Sequence, residues 1–122
     1  MDEKKKIAVV GVSENQEKFG YKIFADLLAA GFDVEAVGVR GGTVCGKTIC
    51  KSLDTLPCVP DIVITVVPPV GTDKAVDDCI KLGVKEIWMQ PGSRSEKAVI
   101  KARGAGIKVI DRDCFMTFHG IW

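Results

Sequence analysis

Residues 6–30, KIAVVGVSENQEKFGYKIFADLLAA, decide the fold. The run 7–10 is apolar and ends at Gly11, which predicts a buried strand. A loop of small and polar residues follows and carries the hydroxyl of Ser13. Residues 21–30 then place Ile23, Leu27 and Ala30 on one stripe, with Gly31 as the stop, which predicts an amphipathic helix. Strand, small-residue loop and helix in this order open a nucleotide-binding α/β domain. Free backbone N–H groups beside a helix N-terminus suit a phosphate. A phosphorylated nucleotide is therefore the expected ligand class.

The same alternation continues along the chain. Strands are predicted at 34–39, 61–67, 86–89 and 108–110, and helices at 73–82 and 96–105. The run 61–67 is almost wholly β-branched, the pattern of a strand buried on both faces, and Pro68-Pro69 ends it. Val76, Cys79 and Ile80 form the stripe of the second helix, stopped by Gly83; Ala98, Val99 and Ala102 face inward on the next, with Ser93 or Ser95 as its cap. Residues 41–51, GGTVCGKTICK, read as a Gly-rich connection with room for a short extended piece. Ser52 is expected to cap one helical turn over 53–56. Five strands with helical crossovers give a Rossmann-like, three-layer α/β/α fold with a five-stranded parallel sheet. The favoured order is 3-2-1-4-5 and the alternative is 2-1-3-4-5. In both, a ligand belongs outside the carboxyl ends of the strands.

Composition narrows the function classes. A chain of 122 residues with 47% hydrophobic residues fits one domain over 1–122 with a sizeable core. Its mean hydropathy is +0.18. Seventeen basic against sixteen acidic residues leave a net charge of +1, which argues against nucleic acid or an anionic membrane as partner. The charged run at 2–6 is expected to be a solvated lead into the first strand. No apolar run reaches the roughly 18–20 residues that cross a bilayer, and no signal peptide is visible. Five cysteines, an odd number without a CxxC pair, point to reduced thiols in a cytoplasmic chain, several of them in buried positions.

The rims of the predicted strands hold the candidate site. The first loop lacks a second glycine at position 13, so it is not a strict dinucleotide fingerprint, and the Walker pattern is absent. Ser13 can donate to a phosphate oxygen and Lys18 can supply charge. After the second strand, where an acid would bind the ribose hydroxyls of NAD, the chain has Arg40. A cation there suits an adenosine bearing an extra phosphate, as in NADP or coenzyme A, and Lys47 or Lys51 can serve the same group. Val67, Pro68 and Pro69 offer a rigid apolar wall. Gln90 can hydrogen-bond an amide, and Gly92 permits close backbone approach. Cys114 and His119, five residues apart, are the one visible thiolate–base pair, without an orienting acid or an oxyanion hole. Asp111 and Asp113 fit turn and cap roles. No cluster has metal-ligand spacing.

These residues resemble a known family. IAVVGVS at 7–13, Lys18-Phe19-Gly20 at the helix start, DIVITVVPP at 61–69, IWMQPG at 87–92 and DRDCFMTFHG at 111–120 look like the stand-alone CoA-binding domain proteins. The chain is also similar to the N-terminal domain of the succinyl-CoA synthetase α subunit. The resemblance implies a Rossmann-like fold with coenzyme A or an acyl-CoA as ligand. By position it implies Gly11, Val12, Ser13 and Lys18 at the CoA phosphates and Arg40 at the adenosine end. It likewise implies Val67, Pro68 and Pro69 along the nucleotide, and Gln90 and Gly92 beside the pantetheine. Gly38-Val39 departs from the Asn-Pro that many stand-alone members carry. The phosphohistidine domain of the synthetase has no counterpart, so ligase activity by this chain alone is not expected.

Three functions are thereby in view. The first is a non-catalytic module that binds or senses CoA or acyl-CoA, with a second copy or an acyl-CoA enzyme as partner. The second is an NAD(P)-binding oxidoreductase or redox sensor. The third is a CoA-linked thiol-exchange enzyme using Cys114. The apolar tail 115–122 is expected to fold back over the sheet or to make a dimer contact.

Overall fold

The computed structural model describes residues 5–122, so most of the charged run at 2–6 lies outside the described residues. In chain order the elements are β1 (Lys6–Val10), α1 (Phe19–Ala29), β2 (Asp33–Val37), β3 (Thr43–Val44), β4 (Lys47–Cys50), a 3-10 turn (Leu53–Thr55), β5 (Ile62–Thr65), α2 (Pro69–Leu82), β6 (Glu86–Met89), α3 (Glu96–Gly104), β7 (Lys108–Ile110) and α4 (Phe115–Phe118). They build a three-layer Rossmann-like α/β fold.

The sheet corrects the expected strand set. It has seven strands in the order β3-β4-β2-β1-β5-β6-β7, with β3 antiparallel to β4 and the other pairings parallel. It is therefore a mixed sheet, not a five-stranded parallel one in the order 3-2-1-4-5. The five expected strands are all present, and among themselves they run 2-1-3-4-5. The Gly-rich connection supplies the difference: it folds into the β3–β4 hairpin, and β4 pairs parallel to β2 through Ala36–Ile49 and Val37–Cys50. Counting only the parallel strands, β4 is the third and the order becomes 3-2-1-4-5-6. The short extended piece expected within 41–51 is thus a strand of the sheet; the sequence did not mark it as one because Ile49 is its single buried residue and no apolar run is present.

Side chains alternate across the strands as a period of two requires. Ile7, Val9, Val34, Ala36, Ile62, Ile64 and Trp88 face α1 and α4, which bury Ile23, Phe24, Leu27, Phe115 and Met116 against them. Ala8, Val63, Ile87, Met89 and Val109 face α2 and α3, which contribute Val76, Cys79, Ala98, Val99 and Ala102. On this second face, Leu53 of the 3-10 turn is what lies over Val37 at the β2 side. Helix α2 begins at Pro69, not at 73, because a proline at the first helical position needs no N–H partner; its buried stripe is Thr72, Ala75, Val76 and Cys79, with Ile80 turned outward. Ser95, not Ser93, caps α3 by accepting from the Ala98 N–H at 3.2 Å. Ser52 instead bonds its hydroxyl to Asp54 and caps no backbone group of the 3-10 turn. Of the cysteines, Cys79 is buried, and burial pushes its thiol up to about 12; Cys45 and Cys58 are exposed.

The loop after β1 is held by backbone approach. The N–H groups of Gly11 and Val12 both donate to the Val37 carbonyl, at 2.8 and 3.0 Å. A Cβ on Gly20 would lie 2.0 Å from the Gly11 carbonyl oxygen, and one on Gly38 would lie 2.0 Å from that of Val12. Neither position has room for a methyl group. The C-terminal tail folds back over the sheet: Phe115 and Met116 are buried, and the Trp122 indole N–H donates to Asp26 at 2.6 Å. Asp111 anchors the start of this tail, accepting from Arg94 Nε at 2.8 Å with Arg103 at 3.4 Å.

Two predictions arise from these contacts. Gly20→Ala should destabilise the protein by about 1–3 kcal/mol, as overpacking against backbone does. Gly104→Ala, with nothing within 4 Å of the new methyl, should stabilise it by about 0.5–1 kcal/mol. Urea unfolding of both decides, and equal effects would refute the steric account. The hydrogen bond from Arg94, against an opposing effect of burial, holds the Asp111 carboxyl below its ordinary 3.8. A depressed carboxylate stabilises the fold above its unfolded pKa, and that stability is lost as pH falls through the folded value. Asp111→Asn should therefore lower the urea midpoint at pH 7, with the gap to the parent closing below the ordinary carboxylate range; a gap constant from pH 7 to pH 2 would exclude this.

Candidate functional site

The loops after β1 and β5 diverge where the strand order reverses, α1 running to one face and α2 to the other. Two connected cavities open there, at the carboxyl ends of the strands. The first is a crevice of about 240 Å³, lined by Val10, Val12, Val37, Leu53, Val67 and Ala75 with Arg40, Lys51 and Lys74 at its margins. The second is an open trough of about 930 Å³ that runs from Lys18, Phe19 and Gly20 past Pro68 and Pro69 to Pro91 and Gly92. Gly11, Ser13, Val39, Arg40 and Val67 border both. The crevice is apolar because β1 and β2 end there beneath a single 3-10 turn, so Val10 and Val37 keep an open neighbour.

Nine of the ten expected residues border these cavities: Gly11, Val12, Ser13, Lys18, Arg40, Val67, Pro68, Pro69 and Gly92. Gln90 does not. It is 3% exposed, and its side-chain carbonyl accepts the Phe115 N–H at 2.8 Å while its amide donates to Cys114 Sγ at 3.1 Å. Its role in the structure is to fasten the C-terminal tail to the end of β6.

The anion-binding chemistry of the first loop also differs in detail from expectation. The Gly11 and Val12 N–H groups are taken up by Val37, so they are not free for a phosphate. The Ser13 hydroxyl accepts from the Asn15 N–H at 3.2 Å, which leaves its own proton to donate. The open donors are in the first turn of α1, which has no side-chain cap and no acidic residue. Such a turn carries partial positive charge and unpaired N–H groups. Lys18 sits at its N-cap. The one acid of this rim, Glu14, is turned to the hairpin, where it accepts the Thr43 N–H at 3.0 Å. Beneath the trough, a buried hydroxyl network fixes the β5 and β6 ends: Thr65 and Ser93 hydroxyls lie 2.9 Å apart, and Thr72 donates to the Ser93 carbonyl at 2.6 Å.

Lys47 is held elsewhere, donating to the Val34 carbonyl at 2.7 Å and pairing with Glu35 at 3.6 Å. Neither Cys114 nor His119 lines the crevice or the trough. Burial opposes ionisation of Cys114, yet hydrogen bonds from the Thr117 backbone, Gln90, the Thr117 side chain and the Met116 backbone together hold its thiol below its ordinary value. His119 bonds through Nδ1 to the Phe115 carbonyl at 3.1 Å and stacks on the Phe115 ring at 4.0 Å, so its partner is Phe115 and not the thiol. Among the described residues no group of three or more His, Cys, Asp or Glu is placed to hold a metal, and no helix is long and apolar enough to cross a membrane. The sequence reading passed over Glu14, Lys74 and Asp78. Only the i,i+4 spacing of Lys74 and Asp78 signalled that they share a helix face.

Comparison with known proteins agrees with this geometry. The solved structure of a conserved hypothetical protein from Pyrococcus furiosus superposes with a TM-score of 0.88 at 33% identity, covering 93% of this chain and 98% of that one. A hypothetical protein from Pyrococcus horikoshii OT3 superposes at 0.91 with 32% identity, over 96% and 82% of the two chains. The α subunit of acetate–CoA ligase (ADP-forming) II from Pyrococcus furiosus is 31% identical over 119 residues, covering 88% of this chain and 26% of that subunit. The chain thus spans little more than a quarter of the length of the curated relatives it matches. The sequence profile described as the CoA binding domain matches residues 5–120. The chain belongs to the CoA binding domain family.

Proposed function

We propose that residues 1–122 form one domain that binds coenzyme A or an acyl-CoA without transforming it. The observation that carries this is the pairing of a small apolar crevice with an open trough at the uncapped start of α1. The crevice suits a nucleoside base, the α1 turn with Ser13 and Lys18 suits a pyrophosphate, and the trough toward Gly92 suits an extended arm. Arg40 borders both cavities, where a phosphate on the adenosine ribose would lie. The trough is open along its length, a shape that suits presentation of a bound arm to a partner. An acyl-CoA enzyme is the partner such a module would serve, in a cytoplasmic setting.

Calorimetric titration of ligand-free protein with CoA, acetyl-CoA, NADP and NADH in one buffer tests this. Saturable binding of CoA with weak or no nicotinamide binding is expected. Tight nicotinamide binding without CoA binding would overturn the proposal in favour of an oxidoreductase or redox sensor. Arg40→Glu should weaken CoA on the order of tenfold or more, the scale of a charge-assisted hydrogen bond, and leave dephospho-CoA within about twofold. Equal weakening of both would remove Arg40 from that role. Iodoacetamide labelling of Cys114 across pH addresses thiol exchange, and labelling unaffected by bound CoA is expected.

A further inference from the structure

We propose that Glu14 is a positioning residue: it latches the β3–β4 hairpin to the loop after β1 and so sets Arg40 where crevice and trough meet. This deepens the CoA reading above and rests on it. The latch starts from the geometry of the hairpin, whose β3 is an edge strand of the sheet. Thr43 pairs with Thr48 and Val44 with Lys47, and the Ile49 N–H donates to the Gly42 carbonyl at 2.8 Å. Bonded and non-bonded pairs alternate along an antiparallel ladder. The Thr43–Thr48 pair is therefore a non-bonded one, and Thr43 turns its N–H off the sheet edge. The Glu14 carboxylate accepts that N–H at 3.0 Å. Gly42 makes the approach possible. Its φ is +99°, and a Cβ there would lie 2.6 Å from the carboxylate oxygen and 2.7 Å from Cδ. The carboxylate thus fills the space that a side chain at 42 would take.

Arg40 belongs to the segment that this latch holds. Gly41 donates to the Gly38 carbonyl at 3.0 Å, which folds 38–41 into a turn with Arg40 inside it. The turn is fixed at its start, where Gly38 donates to the Cys50 carbonyl at 2.8 Å and packs on the Val12 carbonyl. Past Gly38, among the described residues, the Glu14–Thr43 bond is the single hydrogen bond from 39–44 to the loop 11–18. The charge of Glu14 works against the ligand. It is the single acid among the described residues that line the trough, and a carboxylate repels a polyphosphate. Geometry and charge therefore predict opposite signs when Glu14 is altered.

The test is CoA titration of the parent, Glu14→Gln, Glu14→Asp and Glu14→Ala, together with the exchange rate of the Thr43 amide in ligand-free protein. Gln keeps an acceptor oxygen at the same reach and loses the charge; Asp keeps the charge and loses the reach. The expected result is CoA affinity in Glu14→Gln at or above that of the parent. Glu14→Asp and Glu14→Ala should each lose on the order of fivefold, the scale of one hydrogen bond. The Thr43 amide should exchange faster in these last two variants and not in Glu14→Gln. Because the latch acts through Arg40, Glu14→Ala/Arg40→Ala should lose less than the product of the two single losses. Tighter binding in Glu14→Ala, equal weakening in Glu14→Gln and Glu14→Ala, or single losses that simply multiply would overturn the latch while leaving CoA binding intact. If the parent shows no saturable CoA binding, the underlying reading fails, and the latch itself then falls if Thr43 exchange is unchanged in Glu14→Ala.

Discussion

Backbone meeting backbone at the end of β1 is the constraint on which the site depends. The Gly11 carbonyl sits against Gly20 and the Val12 carbonyl against Gly38, each closer than any side chain allows. These approaches pull the loop down onto the end of β2, where Gly11 and Val12 donate to Val37. The start of α1 is thereby set directly over the carboxyl ends of the strands. Were either glycine larger, the loop would lift, and the α1 turn, Ser13 and Lys18 would no longer border the same cavity as Arg40 and Val67.

The opposite rim is built by a different device. At the ends of β5 and β6 the tying groups are side chains: Thr65, Thr72 and Ser93 in one buried hydroxyl network, and Gln90 to the tail. Buried polar groups of this kind stabilise only when each is matched, and no buried side-chain polar atom is left unpaired among the described residues. One rim therefore relies on the absence of side chains and the other on their hydrogen bonding. The prolines at 68 and 69 join the two, following β5 after Val66 and Val67 and opening α2 with few N–H groups to satisfy.

Much of the fold was legible because its core is periodic. The runs at 7–10, 61–67 and 86–89 and the stripes of α1 and α3 announce their burial in the residue pattern itself. The β3–β4 hairpin was not legible: Val44 and Ile49 are its only buried residues, and glycines surround it. Missing it also misnumbered the strands, which turned the order around β1. In the site, loop position was readable from Gly11, Ser13 and Arg40, since a strand end places its neighbours on the rim. Gln90 misled because a polar residue at a strand end looks the same from sequence whether it faces a ligand or a backbone amide. Lys74 and Asp78 lay inside the expected helix at 73–82, but an exposed i,i+4 pair looks the same from sequence whether or not a cavity opens beside it.

The 3-10 turn over the ends of β1 and β2 has a thermodynamic consequence. A nucleoside seated in the crevice would act as part of the sheet's missing cover, so occupancy and folding would be linked equilibria. A ligand that binds only the native state adds about 2.7 kcal/mol at a hundred times its dissociation constant. That is a large share of the stability of a domain this size. Melting temperature would then report the free concentration of the ligand, and protein purified with its nucleotide would be a different thermodynamic object from the stripped chain.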